Sequence, residues 1–156
     1  MAKKTNLKEY ARKRDLKASG EPAAKVKDTG LNRFVVQEHH SSRLHYDFRL
    51  EMDGVLKSWA VPKGVPLEHG VKRLAVNVED HAVDYMDFEG TIPDGNYGAG
   101  EVIKWDSGTY TLDEYREGKT IAVTLSGSKL NGRYVLVHTK GKNWILFKRS
   151  EGTGEK

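Results

Sequence analysis

Leu44-His45-Tyr46-Asp47-Phe48-Arg49-Leu50-Glu51 decides how this chain is read. Apolar and polar residues alternate along it without a break, which is the period of a β-strand, where successive side chains point to opposite faces. Leu44, Tyr46, Phe48 and Leu50 are therefore expected to line a core, and His45, Asp47, Arg49 and Glu51 to share the other face. Mixed charges are ordinary on a solvent-facing sheet, but Lys, Glu and Thr are the usual choices. Here the polar set offers two metal-ligand types beside a rigid guanidinium suited to phosphate. His39 lies just upstream on the end of a preceding strand, and His40, Ser41, Ser42 and Arg43 let the chain turn between it and His45. His40 rivals His39 for this place, and spacing alone does not choose between them.

Two imidazoles and one carboxylate with open positions suit Mn²⁺, Fe²⁺ or Zn²⁺, with water or a phosphate oxygen filling the remaining sites. That is the style of a catalytic centre, since structural zinc sites close all four positions, usually with thiolates. The chain contains no cysteine, which removes disulfides, thiolate ligands and a cysteine nucleophile together.

Outward from this strand the grammar stays β. Short runs rich in Val, Tyr, Trp and Phe predict strands at 34–38, 44–51, 55–61, 74–78, 101–105, 109–112, 120–125, 132–138 and 144–149. Asp53-Gly54 separates two of them and Asn131-Gly132 precedes another, both being dipeptides of tight reversals, so consecutive strands should be antiparallel. So many short strands in so little sequence point to a small closed antiparallel β-barrel, because closure removes exposed edges. Leu7, Tyr10 and Ala11 recur at helical spacing, and Asn6 with Glu9 suggests a capping box, so a short N-terminal helix is expected over 5–16, ended by Ala18-Ser19-Gly20-Glu21-Pro22. Residues 1–30 then form a basic arm of the same domain, 31–150 the barrel, and 151–156 a frayed polar tail.

A second polar group runs from Arg73 to Tyr85. Alternation sets Arg73, Ala75, Asn77 and Glu79 opposite Leu74, Val76 and Val78, with His81 at the strand end, where functional groups collect. A loop histidine is more often a plain surface residue, and packing is the default role of Tyr85. Lys63, in a loop after Pro62, offers an ammonium for phosphate, though solvation is its ordinary fate. The glycine-rich Pro93-Asp94-Gly95-Asn96-Tyr97-Gly98-Ala99-Gly100 lacks the lysine and Ser/Thr of a phosphate loop and reads as a tight connection entering a strand. No nucleophile elbow or Ser-His-Asp order is present.

The 156 residues suffice for one domain with a real core. A hydrophobic content of 37%, a charged content of 31% and a mean hydropathy of -0.66 place the chain among globular proteins rather than membrane proteins. Met1-Ala2-Lys3-Lys4-Thr5 is basic, but no apolar stretch follows as a secretory signal requires, so a cytoplasmic location and no membrane partner are expected. The net charge of +4 and pI near 9.2 favour an anionic partner. Lys8, Arg12, Lys13, Arg14, Lys17, Lys25 and Lys27 concentrate the excess early, as an arm steering a phosphate backbone would, whereas Lys3 and Lys4 read as a solubilising tail.

Taken together, Phe34-Val35-Val36-Gln37-Glu38-His39, Arg43 to Glu51, Leu56-Lys57-Ser58-Trp59-Ala60-Val61-Pro62-Lys63-Gly64, Val78-Glu79-Asp80-His81, Phe88-Glu89-Gly90 and Tyr97-Gly98-Ala99-Gly100 closely resemble the 3′-phosphoesterase domain of bacterial DNA ligase D and its free-standing archaeal relatives. The likeness runs from about Arg14 to Arg149, with several long motifs in order. It implies a small β-barrel hydrolase of DNA repair by non-homologous end joining. Such an enzyme acts on primer-template 3′ ends bearing ribonucleotides, as a 3′-ribonuclease that releases a terminal nucleoside and as a 3′-phosphatase. It implies a divalent metal, manganese first and zinc, cobalt or iron otherwise, held by His39, His45 and Asp47, which selects His39 over His40. Arg49 and His81 would contact the scissile phosphate and Tyr85 would support the site. Glu79, Lys63 and Arg73 would contribute nearby, and Arg14, Asp15 and Glu21 match the family's Arg-Asp and Glu-Pro positions. With no ligase or polymerase sequence attached, a separate DNA ligase, polymerase and end-binding protein become the expected partners of a monomer. Two other readings use the same residues. One is a single-strand nucleic-acid-binding barrel with a structural metal, stacking bases on Trp59, Trp105 and Tyr97. The other is a cupin-like barrel acting on a small organic substrate.

Overall fold

A computed structural model describes residues 7–149. Among these residues nine strands form, in chain order: β1 (Arg33–His40), β2 (Leu44–Met52), β3 (Val55–Val61), β4 (Lys72–Ala82), β5 (Gly90–Ile92), β6 (Gly100–Arg116), β7 (Thr120–Gly127), β8 (Asn131–Lys140) and β9 (Asn143–Lys148). They pair in the order β1-β2-β3-β4-β9-β8-β7-β6, and β6 returns to pair with β1, closing an antiparallel barrel of eight strands. The short β5 joins the start of β6 outside that ring. Closure leaves the eight ring strands without a free edge, as the alternating patterns require. No helix among the described residues is long and apolar enough to cross a membrane.

The barrel interior is the core foreseen from alternation. Phe34 and Val36 of β1, Phe48 and Leu50 of β2, and Trp59 and Val61 of β3 meet Tyr134, Leu136 and Leu146 from across the barrel. Leu44 departs from the expected set. It lies at the hairpin end beyond this core and is 45% exposed. The Asp53-Gly54 reversal forms as read, with both residues at positive φ (56° and 82°), the mark of a type I′ turn. Gly54 is also where the N-terminal segment docks: its carbonyl accepts from Lys27 N–H at 2.9 Å, and a Cβ there would meet Val26 at 2.8 Å.

Three expectations are corrected. Asn131-Gly132 is not the turn but the start of β8; the reversal lies just before it, where the buried Asp106 carboxylate accepts from the N–H groups of Ser128, Lys129 and Leu130 at 2.8–3.0 Å. The strands expected at 101–105 and 109–112 are one strand, because Asp106, Ser107 and Gly108 continue the pairing with Val36, Val35 and Phe34. The helix expected over 5–16 is two short ones, α1 (Lys8–Arg12) and α2 (Leu16–Ser19). Asp15 caps α2, its carboxylate accepting from Ala18 N–H, while Arg14 is drawn down into ion pairs, so the chain cannot continue as one helix. The capping box through Asn6 and the tail 151–156 lie outside the described residues.

A second cluster explains why so short a helix holds. Leu7 and Tyr10 pack with Val35, Leu56, Tyr85 and Met86 on the outer face of the barrel, roofed by a 3-10 helix at Val83–Asp87. Isolated helices of this length are marginal in water, and the packing of an apolar face supplies what propensity does not. The outer face of β1 to β4 is thus covered rather than open to solvent.

Candidate active site

Antiparallel register sets His39 directly opposite His45, with ring centroids 4.8 Å apart. Two residues further along the same face comes Asp47, and two further again Arg49. One ligand atom from each of His39, His45 and Asp47 lies within 4.8 Å of the others. His45 Nε2 is 3.2 Å from Asp47 Oδ1, and His39 Nδ1 is 3.6 Å from Asp47 Oδ2. The remaining ring nitrogens face carbonyls: His39 Nε2 is 2.7 Å from Gly98 O, and His45 Nδ1 is 3.2 Å from Arg43 O. A nitrogen beside a carbonyl must carry the proton, so the lone pairs are turned inward. Two imidazole lone pairs and a carboxylate converging in a buried space require a cation or a proton between them. That donor chemistry fits a divalent metal of the Mn, Fe, Co or Zn kind.

The charges agree. Burial pushes the Asp47 carboxyl upward, but the Arg49 guanidinium first and the two polar imidazoles beside it outweigh this and hold Asp47 well below the usual carboxylate range. Burial likewise pulls the His45 pKa down, and the Asp47 carboxylate more than reverses it.

Arg49 is buried and fixed from three sides. Its Nε donates to Gln37 Oε1 at 2.6 Å, its Nη1 donates to Ser58 Oγ at 2.8 Å, and its guanidinium lies over the Tyr85 ring at 4.9 Å. The last nitrogen, Nη2, is 3.3 Å from Asp47 Oδ2. Gln37 is itself locked, its amide donating to Tyr85 O and Phe88 O, and the Ser58 hydroxyl donates to Leu56 O. Gln37 and Ser58 were not singled out in the sequence. The available signal was parity: Gln37 shares its face with His39, and Ser58 is the cross-strand partner of Arg49.

His81 reaches the same face through an irregularity. Leu56 pairs with His81 and Ser58 with Val78, so β4 carries one residue more than β3 over this step. This bulge brings Glu79 to the side of Val78 and His81, whereas Asn77 pairs with Trp59 and does not line their pocket. His81 Nδ1 donates to Glu79 O at 3.0 Å, leaving Nε2 to accept from Arg14 Nη2 at 3.1 Å. Burial, then the Arg49 and Arg14 guanidinium groups, hold its pKa well below the ordinary histidine value, so the ring is neutral. Arg14 also donates to Glu21 and Glu79, each at 3.0 Å, and Tyr85 donates its hydroxyl to Glu21 at 2.8 Å. Burial, reinforced by the Glu21 charge, raises the Tyr85 pKa. Glu21 Oε1 is buried with no hydrogen-bond partner among the described residues.

These groups line one pocket of about 450 Å³, which gathers His39, His45, Asp47, Arg49, Glu79, His81, Tyr85, Arg14 and Glu21 from the expected set. Five of the residues singled out in the sequence stand elsewhere. His40 is exposed and paired with Glu38 at 2.9 Å, because it alternates to the other face of β1. Lys63 and Arg73 do not line the pocket; Arg73 donates to the Lys63 carbonyl, tying the loop after β3 to the start of β4. Asp15 is exposed as the cap of α2. Glu51, although on the Asp47 face, is taken up by Thr29 and by Arg33, whose Nε lies at 2.7 Å.

Residues 37–138 match the family described as the DNA ligase D 3′-phosphoesterase domain. The chain is 56% identical over 157 residues to the multifunctional non-homologous end joining protein LigD of Pseudomonas aeruginosa, covering 94% of this chain and 19% of that protein. It is 46% identical to LigD of Mycolicibacterium smegmatis, covering 93% and 21%. It is 48% identical to the non-homologous end joining DNA repair protein LigD of Mycobacterium tuberculosis, covering 91% and 19%. The chain spans about a fifth of the length of these relatives.

Proposed function

We propose that this chain, which belongs to the DNA ligase D 3′-phosphoesterase family, is a divalent-metal-dependent hydrolase that heals DNA 3′ ends for end joining. Its substrates are primer-template ends that carry 3′-ribonucleotides, from which it releases the terminal nucleoside, or a 3′-phosphate, which it removes. The observation that carries this reading is the convergence of two imidazole lone pairs and a buried carboxylate beside an arginine fixed from three sides.

His39, His45 and Asp47 hold the metal, manganese first and zinc, cobalt or iron otherwise. When bound, such an ion supplies Lewis-acid neutralisation of phosphate oxygen charge. Arg49 presents Nη2 toward the same space, and because Gln37, Ser58 and Tyr85 already fix its orientation, it meets developing charge without reorganisation. His81 enters the reaction neutral, with Nδ1–H committed to a carbonyl and its one Nε2 lone pair accepting from Arg14, so Nε2 takes a proton from the attacking water once a bound phosphate draws the Arg14 N–H away. Arg14 keeps Nε2 directed into the pocket, and Glu21, Glu79 and Tyr85 hold Arg14 and the roof in place. The protein acts in the cytoplasm as a monomer, and the healed ends pass to a ligase, polymerase and end-binding protein.

The test is a labelled strand ending in a 3′-ribonucleotide, annealed to a template and incubated with Mn²⁺ or with EDTA. Shortening with Mn²⁺ that EDTA abolishes is the expected result. Binding without metal-dependent shortening would favour the single-strand-binding barrel instead.

A further inference from the structure

The floor of the pocket is accounted for by charge and metal-ligand chemistry, but its mouth holds an aromatic ring that none of these roles uses. Tyr97 lines the pocket and is 47% exposed. It belongs to the connection entering β6, and that connection is tightly tied. Asn96 N–H and its side-chain amide both donate to Pro93 O, and Ala99 N–H donates to Asn96 O at 3.1 Å. The next residue, Gly98, takes a positive φ of 74° and turns its carbonyl onto His39. Tyr97 is therefore one peptide away from the group that orients a proposed metal ligand.

Two cations lie against the ring. Lys13 Nζ lies 5.0 Å and Arg14 Cζ 5.2 Å from the ring centroid, and Lys13 Nζ is 3.4 Å from the Tyr97 hydroxyl. The Arg14 side chain is almost wholly buried whereas Tyr97 is half-exposed and lines the pocket, so ring surface that Arg14 does not cover is open to solvent. A half-exposed aromatic ring, fixed in orientation beside a pocket suited to a phosphate, is a surface that a planar π-system covers well.

We infer that Tyr97 is the stacking platform for the terminal nucleobase of the bound strand, a subsite that positions the end nucleotide while its phosphate reaches His39, His45, Asp47 and Arg49. This rests on the phosphoesterase reading above and adds the base to it. Stacking uses only the π-face, so the subsite accepts all four bases with little preference.

A strand with 2-aminopurine as its 3′-terminal base, titrated with protein in EDTA, reads stacking without turnover. Wild type should quench its fluorescence, Tyr97→Phe should keep the quenching, and Tyr97→Ala should lose it. Affinity should fall on the order of tenfold in Tyr97→Ala for a strand ending in a base, with no further fall for a strand ending in an abasic residue. A merely structural role would weaken both strands alike, and that result, or absent quenching in wild type, would overturn the inference. Parallel shortening assays with Mn²⁺ keep the two readings apart. Quenching without shortening supports the platform and removes the phosphoesterase reading; shortening without quenching overturns the platform alone.

Discussion

Asp47 and Glu51 project from the same face of β2, are both buried, and each stands beside an arginine. Around Glu51 the neighbours are donors: Arg33 donates from Nε and Nη2, and Thr29 donates its hydroxyl. Around Asp47 the neighbours are themselves acceptors, two imidazole lone pairs turned inward by the Gly98 and Arg43 carbonyls. One carboxylate closes a structural ion pair; the other leaves a coordination shell incomplete. The difference is made not by the carboxylates but by which atoms of their neighbours are already committed.

Changes at the Asp47 end should break the comparison most sharply. Asp47→Ala should abolish divalent metal binding in calorimetry and shortening of a ribonucleotide-ended strand, while the fold persists by circular dichroism. Retained stoichiometric binding would remove Asp47 from the ligand set. Arg49→Ala should lower kcat on the order of 10³-fold with little change in KM, because the guanidinium acts on transition-state charge. Arg49→Lys should not rescue it, since an ammonium cannot hold Gln37, Ser58 and Asp47 together. A rise in KM alone would reduce Arg49 to a binding group.

One layer out, Gln37→Leu strips Arg49 of its Nε partner and leaves the Tyr85 and Phe88 carbonyls without their donor. A stability loss of about 1–3 kcal/mol is expected from chemical denaturation, together with reduced kcat. Unchanged kcat would show that Arg49 needs no such anchor.

The smallest effect belongs to the Glu51 end. Glu51→Gln should cost about 1–2 kcal/mol of stability, kept low because the Arg33 side chain is 32% exposed and screened, and should leave activity intact. Burial pushes the Glu51 pKa up, but hydrogen bonds from Arg33 and Thr29 bring it below the ordinary value. Its contribution is therefore fully present above the unfolded carboxylate pKa, about 4.3, and is lost as pH falls through the lower folded value. The gap in Tm between wild type and Glu51→Gln should stay constant near neutrality and close in acid. A gap that persists at the lowest pH would deny the ionic origin.

How much of this could be read from sequence follows the range of the interactions. Alternation in β2 placed Phe48 and Leu50 inside and His45, Asp47 and Arg49 together, because strand parity is a local property. The hairpin at Asp53-Gly54 was legible for the same reason. The reversal before β8 was not, since it is built by Asp106 reaching from β6. Nor was the roof over the outer face: Arg14 meets Glu79 and His81 across 65 and 67 residues, and no local pattern announces such a meeting. Lys63 and Arg73 were expected near the pocket because of resemblance and charge, yet they hold each other at the end of β3. The bulge in β4 carries the same lesson, for a single added residue moves Glu79 and His81 from the face of Asn77 to that of Val78.

A crystal of the protein soaked in Mn²⁺, with anomalous diffraction recorded, tests the central claim most directly. The account predicts one dominant peak bounded by His39 Nδ1, His45 Nε2 and the Asp47 carboxylate, with Arg49 alongside. A peak at another position, or none there at saturating manganese, would contradict it.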